Sequence, residues 1–263
     1  MSSFYFEQSH DVVQVVGTDA RKFLHSQLAN DIESLKVGES RYSLLLEPTG
    51  KITSLLRVRC ISDDHFVLDC DAGFGEVSAV RLSRFKIRIK CEITTSAQRF
   101  VAIRGLSAIE YADYVARDSA LPAWREKDFA VDFTVDFAAD FSLGDLREGS
   151  ATEFEIARLM AKWPKTGVDM TGESMPVETG LTDCAVSFTK GCYPGQELVE
   201  RMDSRGATAP RSLRLIRAVA GARAGEPVVL EGQEIGIYTS VCQEFALALI
   251  KRSADSRSIE IGS

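Results

Sequence analysis

Histidine is scarce in this chain. Its 263 residues include three, His10, His25 and His65. They follow no metal-ligand spacing, so a structural zinc site is not expected and the metal call is none. The same scarcity leaves no Ser-His-Asp arrangement to assemble. The six cysteines, Cys60, Cys70, Cys91, Cys184, Cys192 and Cys242, include no C-x-x-C pair. Scattered through a chain without a secretory pattern, they are expected to be reduced thiols in a cytoplasmic protein. No apolar run approaches the roughly 20 residues of a membrane span. Met1 to His10 holds no basic cluster followed by an apolar stretch, so neither a membrane partner nor a secretory signal is expected. Positive charge is also in deficit, with 31 Lys and Arg against 38 Asp and Glu and a net charge of −7. That excludes a molecule-wide electrostatic surface for nucleic acid, and no stable nucleic-acid binding is expected.

What remains is the mix of an ordinary globular protein, 45% apolar and 26% charged, long enough for two or three domains. There is no internal repeat and no low-complexity tract. Val12, Val13, Val15 and Val16 predict a strand, Gly17-Thr18-Asp19 a turn and helix N-cap, and Phe23, Leu24, Gln27 and Leu28 a core helix that carries on toward Asp31 and Ile32. Tyr42 to Leu46 and Ile52 to Cys60 read as strands around the turn Glu47-Pro48-Thr49-Gly50, and Phe66 to Cys70 as another. Gly75 to Leu82 has helical spacing. In Arg84 to Lys90 basic and apolar residues alternate, which predicts a strand with one cationic face, either an edge kept soluble by charge or a docking strip for an anionic ligand or RNA. Asp128, Asp132, Asp136, Asp140 and Asp145 stand among Phe129, Phe133, Phe137 and Phe141, read as core packing plus a connecting loop. Glu153 to Lys162 is expected helical and Thr166 to Thr182 loop. Leu213 to Ile216, Val228 to Leu230, Ile235 to Thr239 and Ala246 to Ile250 predict short strands of a small barrel or sandwich. The mixture is α+β.

One stretch carries chemistry: Lys190-Gly191-Cys192-Tyr193-Pro194-Gly195-Gln196-Glu197. It sets a thiol between glycines, two residues after a cation and just ahead of a helix predicted over Gln196 to Met202. In that helix Leu198 and Met202 share a face, and Glu197 with Arg201 forms an i,i+4 pair. A cation and a helix start both favour a thiolate, which makes Cys192 the candidate reactive cysteine. The competing reading is an inert cysteine in a glycine-rich loop. Arg201, Arg205, Arg211, Arg214, Arg217 and Arg223 crowd one stretch that suits anionic groups or a solvated surface. Gly73-Phe74-Gly75 lacks the third glycine of a dinucleotide loop.

The stretch resembles the K-G-C-[FY]-x-G-Q-E signature of the YgfZ family of folate-dependent regulatory proteins, relatives of the glycine-cleavage aminomethyltransferase, or T protein. Asp19-Ala20, Phe23-Leu24, Gln27-Leu28 and Asn30-Asp31 are similar to the family's opening motif, and Arg158 to Gly167 to its R-x-x-x-G-x-P-x-x-G stretch. Pro176 and Glu178 precede the signature, and Arg201, Gly206, Arg211 and Leu213 follow it. The resemblance implies a three-domain, ring-like T-protein fold of class α+β. It comprises a discontinuous folate-binding domain (residues 1–47 with 151–209), a ferredoxin-like α+β domain (48–150) and a C-terminal β-barrel (210–263). It implies tetrahydrofolate or a derivative as the cofactor. The functional residues would be Cys192, supported by Lys190, and the binding residues Gly191, Tyr193, Gly195, Gln196, Glu197, Arg201, Arg158 and Glu178. Its partners would be a reduced folate and iron–sulfur client enzymes, including radical enzymes that modify tRNA, with no stand-alone turnover.

Two alternatives stand beside this. A tetrahydrofolate-dependent one-carbon transferase meets Met160 where transferase relatives place an acid, and Lys162 where many relatives have glycine. A tRNA-binding module would use the strip at Arg84 to Lys90, against the acidic balance.

Overall fold

The computed structural model describes residues 2–117, 119–135, 146–204, 209–254 and 256–261, with the backbone alone at 203 and 204. The expected features at Asp136, Phe137, Asp140, Phe141, Asp145, Arg205 and Gly206 lie outside the described residues. The chain forms two compact units, one of Met1–Phe23, Glu33–Arg41 and Leu56–Ala157, the other of Leu24–Ile32, Tyr42–Leu55 and Arg158–Ser263. The expected segment 210–263 falls in the second unit, and the expected grouping of 1–47 with 151–209 is divided between the two.

The first unit is built on β1 (Phe4–Val16). β4 (His65–Asp71) lies antiparallel on one side of it, with Val12 opposite Asp69, and β5 (Glu92–Arg104) on the other, from Phe4 opposite Arg104 to Val16 opposite Glu92. The second half of β3 (Ile52–Ser62) extends the sheet beyond β4, and β7 (Ala130–Thr134) with β6 (Leu121–Ala123) extends it beyond β5. β8 (Arg147–Glu148) runs parallel to the start of β1. The valine run of β1 marked only its last residues, because the five residues before it, Glu7 to Asp11, are all polar and give no strand signal of their own. Its helices include α2 (Gly75–Ser83) and α3 (Ala108–Val115). Asp11 accepts hydrogen bonds from the N–H groups of Gly73 and Gly75, both at 2.9 Å, at the start of α2. α3 opens on a capping box, in which Ser107 N–H donates to Glu110 at 2.8 Å and Glu110 N–H to Ser107 at 3.3 Å.

A chain of buried charges crosses this sheet. Arg57 donates to both oxygens of Asp69 at 3.0 Å and to Asp132 at 2.8 Å, and Arg104 pairs with Asp132 at 2.8 Å. His10 meets Asp69 at 3.0 Å. Burial alone would push the Asp69 carboxyl up, but the Arg57 charge and the His10 contact outweigh it and hold it at about 2.

Arg84 to Lys90 is not the strand that its alternation predicted. The segment is a turn and bends, with Arg88 at φ 60. Ile87 is 77% exposed, so no sheet face buries the apolar set that a strand requires. Asp19 stands directly before the helix that begins at Ala20, its carbonyl accepting a hydrogen bond from Phe23 N–H at 2.8 Å, and its carboxylate accepts one from Lys90 N–H at 2.8 Å.

In the second unit, β2 (Ser40–Leu46) and the first half of β3 flank the turn Glu47 to Gly50, closed by Glu47 N–H to Lys51 O and Gly50 N–H to Glu47 O at 2.8 Å each. α1 (Ala20–Gln27), whose last residues enter this unit, stops short of Asp31 and Ile32. Asn30 does not continue the helix, and its side chain donates to Tyr42 O at 2.8 Å and Cys184 O at 2.9 Å. α4 (Ala151–Met160), whose last residues enter this unit, is followed by Lys162 with φ 52. That left-handed backbone is one that glycine adopts without strain, so a lysine carries it here at some cost. The stretch 166–182, expected as loop, contains α5 (Pro176–Thr179) with proline at its first turn, and α6 (Thr182–Ala185) begins at its end. α7 (Gln196–Ser204) follows the signature. The chain closes with an antiparallel sheet ordered β10 (Pro227–Leu230), β11 (Gln233–Cys242), β12 (Phe245–Lys251), β9 (Arg211–Arg217). Its core is Ile216, Val228, Ile235, Tyr238, Ala246, Ala248 and Ile250.

Candidate functional site

The signature segment is held at both ends and presents its middle. At its start, Ser187 N–H donates to Ala29 O at 2.9 Å. Lys190 then reaches the end of α1, where its ammonium donates to His25 O and, at 2.6 Å, to Leu28 O. A cation there satisfies carbonyls that the helix end leaves open and meets the negative pole of its dipole. The same ammonium lies 5.1 Å from the ring centre of Tyr193. Tyr193 is buried, and burial first, then the Glu200 charge, pushes its phenol up to about 12.

Between these two anchors, Gly191 and Cys192 are exposed. A side chain at Gly191 would meet nothing within 4 Å. Cys192 is exposed, whereas Cys60, Cys70 and Cys91 are buried and Cys184 and Cys242 are half-buried. The cation expected beside the thiol is thus bound to backbone carbonyls and an aromatic face.

The far end is fixed by close backbone contact. Gly195 has φ 86, and a Cβ there would lie 2.8 Å from Glu47 O and 2.8 Å from Gly50 Cα. A Cβ at Gly50 would lie 2.8 Å from Leu198. The turn between β2 and β3 therefore fits against the start of α7 only because both positions are glycine. Gln196 folds back to accept a hydrogen bond from Tyr193 N–H at 3.3 Å and donates to Glu200 at 2.5 Å. Glu197 and Arg201 pair on the surface of α7 as their spacing predicted. Leu198 and Met202 line one apolar pocket with Pro176 and Phe188.

Two other expected binding residues, both buried, stand in separate ion pairs. Arg158 meets Asp169 at 2.6 Å and donates to Trp163 O at 2.6 Å and Ser240 Oγ at 2.8 Å. Asp169 also accepts from Thr239 at 2.5 Å and Ser240 at 2.7 Å, which joins the loop after α4 to β11. Glu178 pairs with Arg211 of β9 at 2.7 Å and accepts from Met175 N–H at 2.9 Å. Within the arginine-rich stretch, Arg214 pairs with Glu260 at 3.3 Å. Met160 is 42% exposed.

The sequence did not single out Gln27 or Gly50 as site residues. Gln27 is 8% exposed, and its Oε1 has no hydrogen-bond partner among the described residues. It precedes Leu28, the carbonyl that Lys190 grips. Its only sequence signal was its place in the family's opening motif.

Comparison with known proteins agrees with this architecture. The GCVT N-terminal domain family matches residues 5–126. The tRNA-modifying protein YgfZ of Vibrio atlanticus is 22% identical over 215 residues, covering 78% of this chain and 66% of that protein. The mitochondrial iron–sulfur cluster assembly factor homolog of Dictyostelium discoideum is 25% identical over 256 residues, covering 81% of this chain and 62% of its own length. The chain thus spans somewhat under two thirds of each of these relatives. The crystal structure of the glycine cleavage system aminomethyltransferase T from Bartonella henselae superposes with a TM-score of 0.77 at 20% identity, over 95% of this chain and 79% of that one. Among the described residues, no helix is long and apolar enough to cross a membrane. With the signature, its supporting geometry and these relatives, the chain is similar to the YgfZ-type proteins and carries a GCVT N-terminal domain, and it has the α+β fold of the glycine-cleavage T proteins.

Proposed function

We propose that this chain is a folate-binding accessory protein that acts in the cytoplasm and supports iron–sulfur cluster assembly or repair in client enzymes, tRNA-modifying ones among them. The observation that carries this reading is the signature itself: Lys190 and Tyr193 anchor the segment, and Cys192 alone of the cysteines is exposed. A thiol kept at the surface between half-buried Lys190 and buried Tyr193 is available to a partner or a cluster as a soft ligand. The names of the relatives in Vibrio and Dictyostelium support the link to tRNA modification and iron–sulfur assembly.

A reduced folate fits the residues beside α1. When bound, it supplies a reduced pterin and the nitrogen that carries one-carbon units. Gln27 Oε1 is a buried acceptor without a partner among the described residues, the kind of group a pterin N–H satisfies. Gln27, Lys190 and Tyr193 would hold and orient the ligand, and Cys192 would face solvent. Arg158 and Glu178 would act by supporting the unit through their ion pairs. Amine transfer is disfavoured because Met160 brings no carboxylate to the position where transferase relatives carry an acid.

The test pairs calorimetry with complementation. Tetrahydrofolate should bind the wild type and Cys192→Ala alike, and Gln27→Leu at least tenfold more weakly. Cys192→Ala should fail to restore iron–sulfur enzyme activity in a strain lacking the endogenous protein. No binding by the wild type at millimolar tetrahydrofolate would remove the folate reading, and full complementation by Cys192→Ala would remove the thiol.

A further inference from the structure

Three anchors in the second unit string the chain ahead of the thiol along the end of α1. Cys184 O accepts a hydrogen bond from the Asn30 side chain at 2.9 Å. Ser187 N–H donates to Ala29 O at 2.9 Å. The Lys190 ammonium donates to Leu28 O at 2.6 Å and to His25 O. The partners run backwards through Asn30, Ala29 and Leu28 as the segment runs forwards through Cys184, Ser187 and Lys190. The approach to Gly191 and Cys192 is thus laid antiparallel to the end of α1. The Ser187 anchor joins backbone to backbone, so in these three anchors side-chain identity enters at Lys190 and Asn30.

Asn30 is buried, and its bonds fix it from every side. Its Nδ2 donates to Tyr42 O at 2.8 Å as well as to Cys184 O, its Oδ1 accepts from Asp31 N–H at 2.8 Å, and its own N–H donates to Ser43 Oγ at 2.9 Å. Both amide N–H groups and the amide oxygen are therefore bonded, which gives the side chain one orientation. It joins β2, the end of α1 and α6 at one point. A primary amide supplies two donors and an acceptor at this length, and no other side chain as short does so. Aspartate has the same shape but would set a carboxylate against two carbonyl oxygens. Alanine would leave both carbonyls without their donor. The bonds to Tyr42, Ser43 and Asp31 suffice to close α1 against β2. The bond to Cys184 reaches 154 positions along the chain, and what it fixes is the start of the run that leads to Cys192.

We infer that Asn30 is a positioning residue for Cys192. Its bond to Cys184 O sets where the segment leaves α6, Lys190 sets where it ends, and the exposed thiol two residues later takes its place from both. Asn30 acts through this segment and touches neither ligand nor cluster. The inference rests on the reading of Cys192 as the functional thiol.

The test labels Cys192 of the full chain with bromotrifluoroacetone, places the label by mass-spectrometric mapping and reads it by fluorine NMR. Unlabelled variants are scored for iron–sulfur enzyme activity in a strain lacking the endogenous protein. Asn30→Ala and Asn30→Asp should each move or split the fluorine signal and lower the supported activity at least tenfold. In Asn30→Asp the new carboxyl lies beside two carbonyl oxygens, so it titrates above its ordinary range. As the pH falls from about 8 to about 5 it regains a donor, and the signal should return toward the wild-type position. Neither the wild type nor Asn30→Ala should show that return. Val13→Ala, a cavity in the core of the first unit, is the control for lost stability. It should lower the melting temperature and leave both the signal and the activity in place. A folded Asn30→Ala with the wild-type signal and activity overturns the inference. So does a Val13→Ala that loses as much activity as Asn30→Ala, which would make Asn30 a matter of stability alone. The thiol reading fails separately, through full complementation by Cys192→Ala, and the fluorine signal still decides whether Asn30 places the segment.

Discussion

Lys190 donates a hydrogen bond to the carbonyl of Leu28 at 2.6 Å, 162 positions away in the chain. The contact closes α1 with a side chain from the signature segment. It makes the lysine of the motif a structural clasp for the loop that carries the thiol.

Lys190→Met should therefore loosen the fold locally. Charge-assisted hydrogen bonds are each worth about 1.5 to 3 kcal/mol when one partner is removed. Urea unfolding should show a loss of about 1 to 3 kcal/mol, and amide exchange should quicken at the end of α1. A variant as stable as the wild type would show that the clasp contributes nothing.

The two glycines around the thiol should respond in opposite ways. Gly195→Ala meets both a φ of 86 and backbone atoms at 2.8 Å, so it should cost about 2 kcal/mol or more. Gly191→Ala meets nothing within 4 Å and should change stability by less than about 0.5 kcal/mol. Thermal melts of the two variants side by side check the contrast.

Cys192 should be alkylated first under native conditions. It is exposed, while burial pushes the Cys70 and Cys91 thiols up and hides their sulfur atoms. Pulse labelling with mass-spectrometric mapping reads the order, and faster labelling of Cys60, Cys70 or Cys184 would contradict it. Cys192→Ser should keep the melting temperature, since an exposed loop side chain buries little area.

Acid should unfold the first unit through Asp69. Its carboxyl sits at about 2 in the fold, against about 3.9 in an unfolded chain. A lowered folded value means stability that is fully present above about pH 4 and is lost as the pH falls toward 2. The contribution is on the order of 2 to 3 kcal/mol. Unfolding free energies at pH 7, 4 and 3 should decline across that window. Asp69→Asn should lose about 3 to 5 kcal/mol at pH 7, because it leaves the Arg57 charge buried with one fewer counter-ion, and its acid slope should be shallower.

The sequence by itself determined the elements whose pattern is local. The turn at Glu47 to Gly50, helix α2, the strands of the C-terminal sheet and the i,i+4 pair of Glu197 with Arg201 all follow from spacing and turn residues. The signature also pointed to the proteins that the chain resembles, because eight residues in fixed order carry more information than any periodicity. Other local signals were present but went unused, such as Ser107 and Glu110 opening α3, and Pro176 opening α5. Only the tertiary structure decided the rest. Alternation in Arg84 to Lys90 mimics a strand, but a strand needs a neighbour and a buried face, and Ile87 has neither. The place of Lys190 on α1, the contact of Gly195 with Gly50 and the chain of charges from His10 to Arg104 all join residues far apart in sequence. No local pattern encodes such contacts, since they depend on which surfaces the folded backbone brings within a few ångströms of one another.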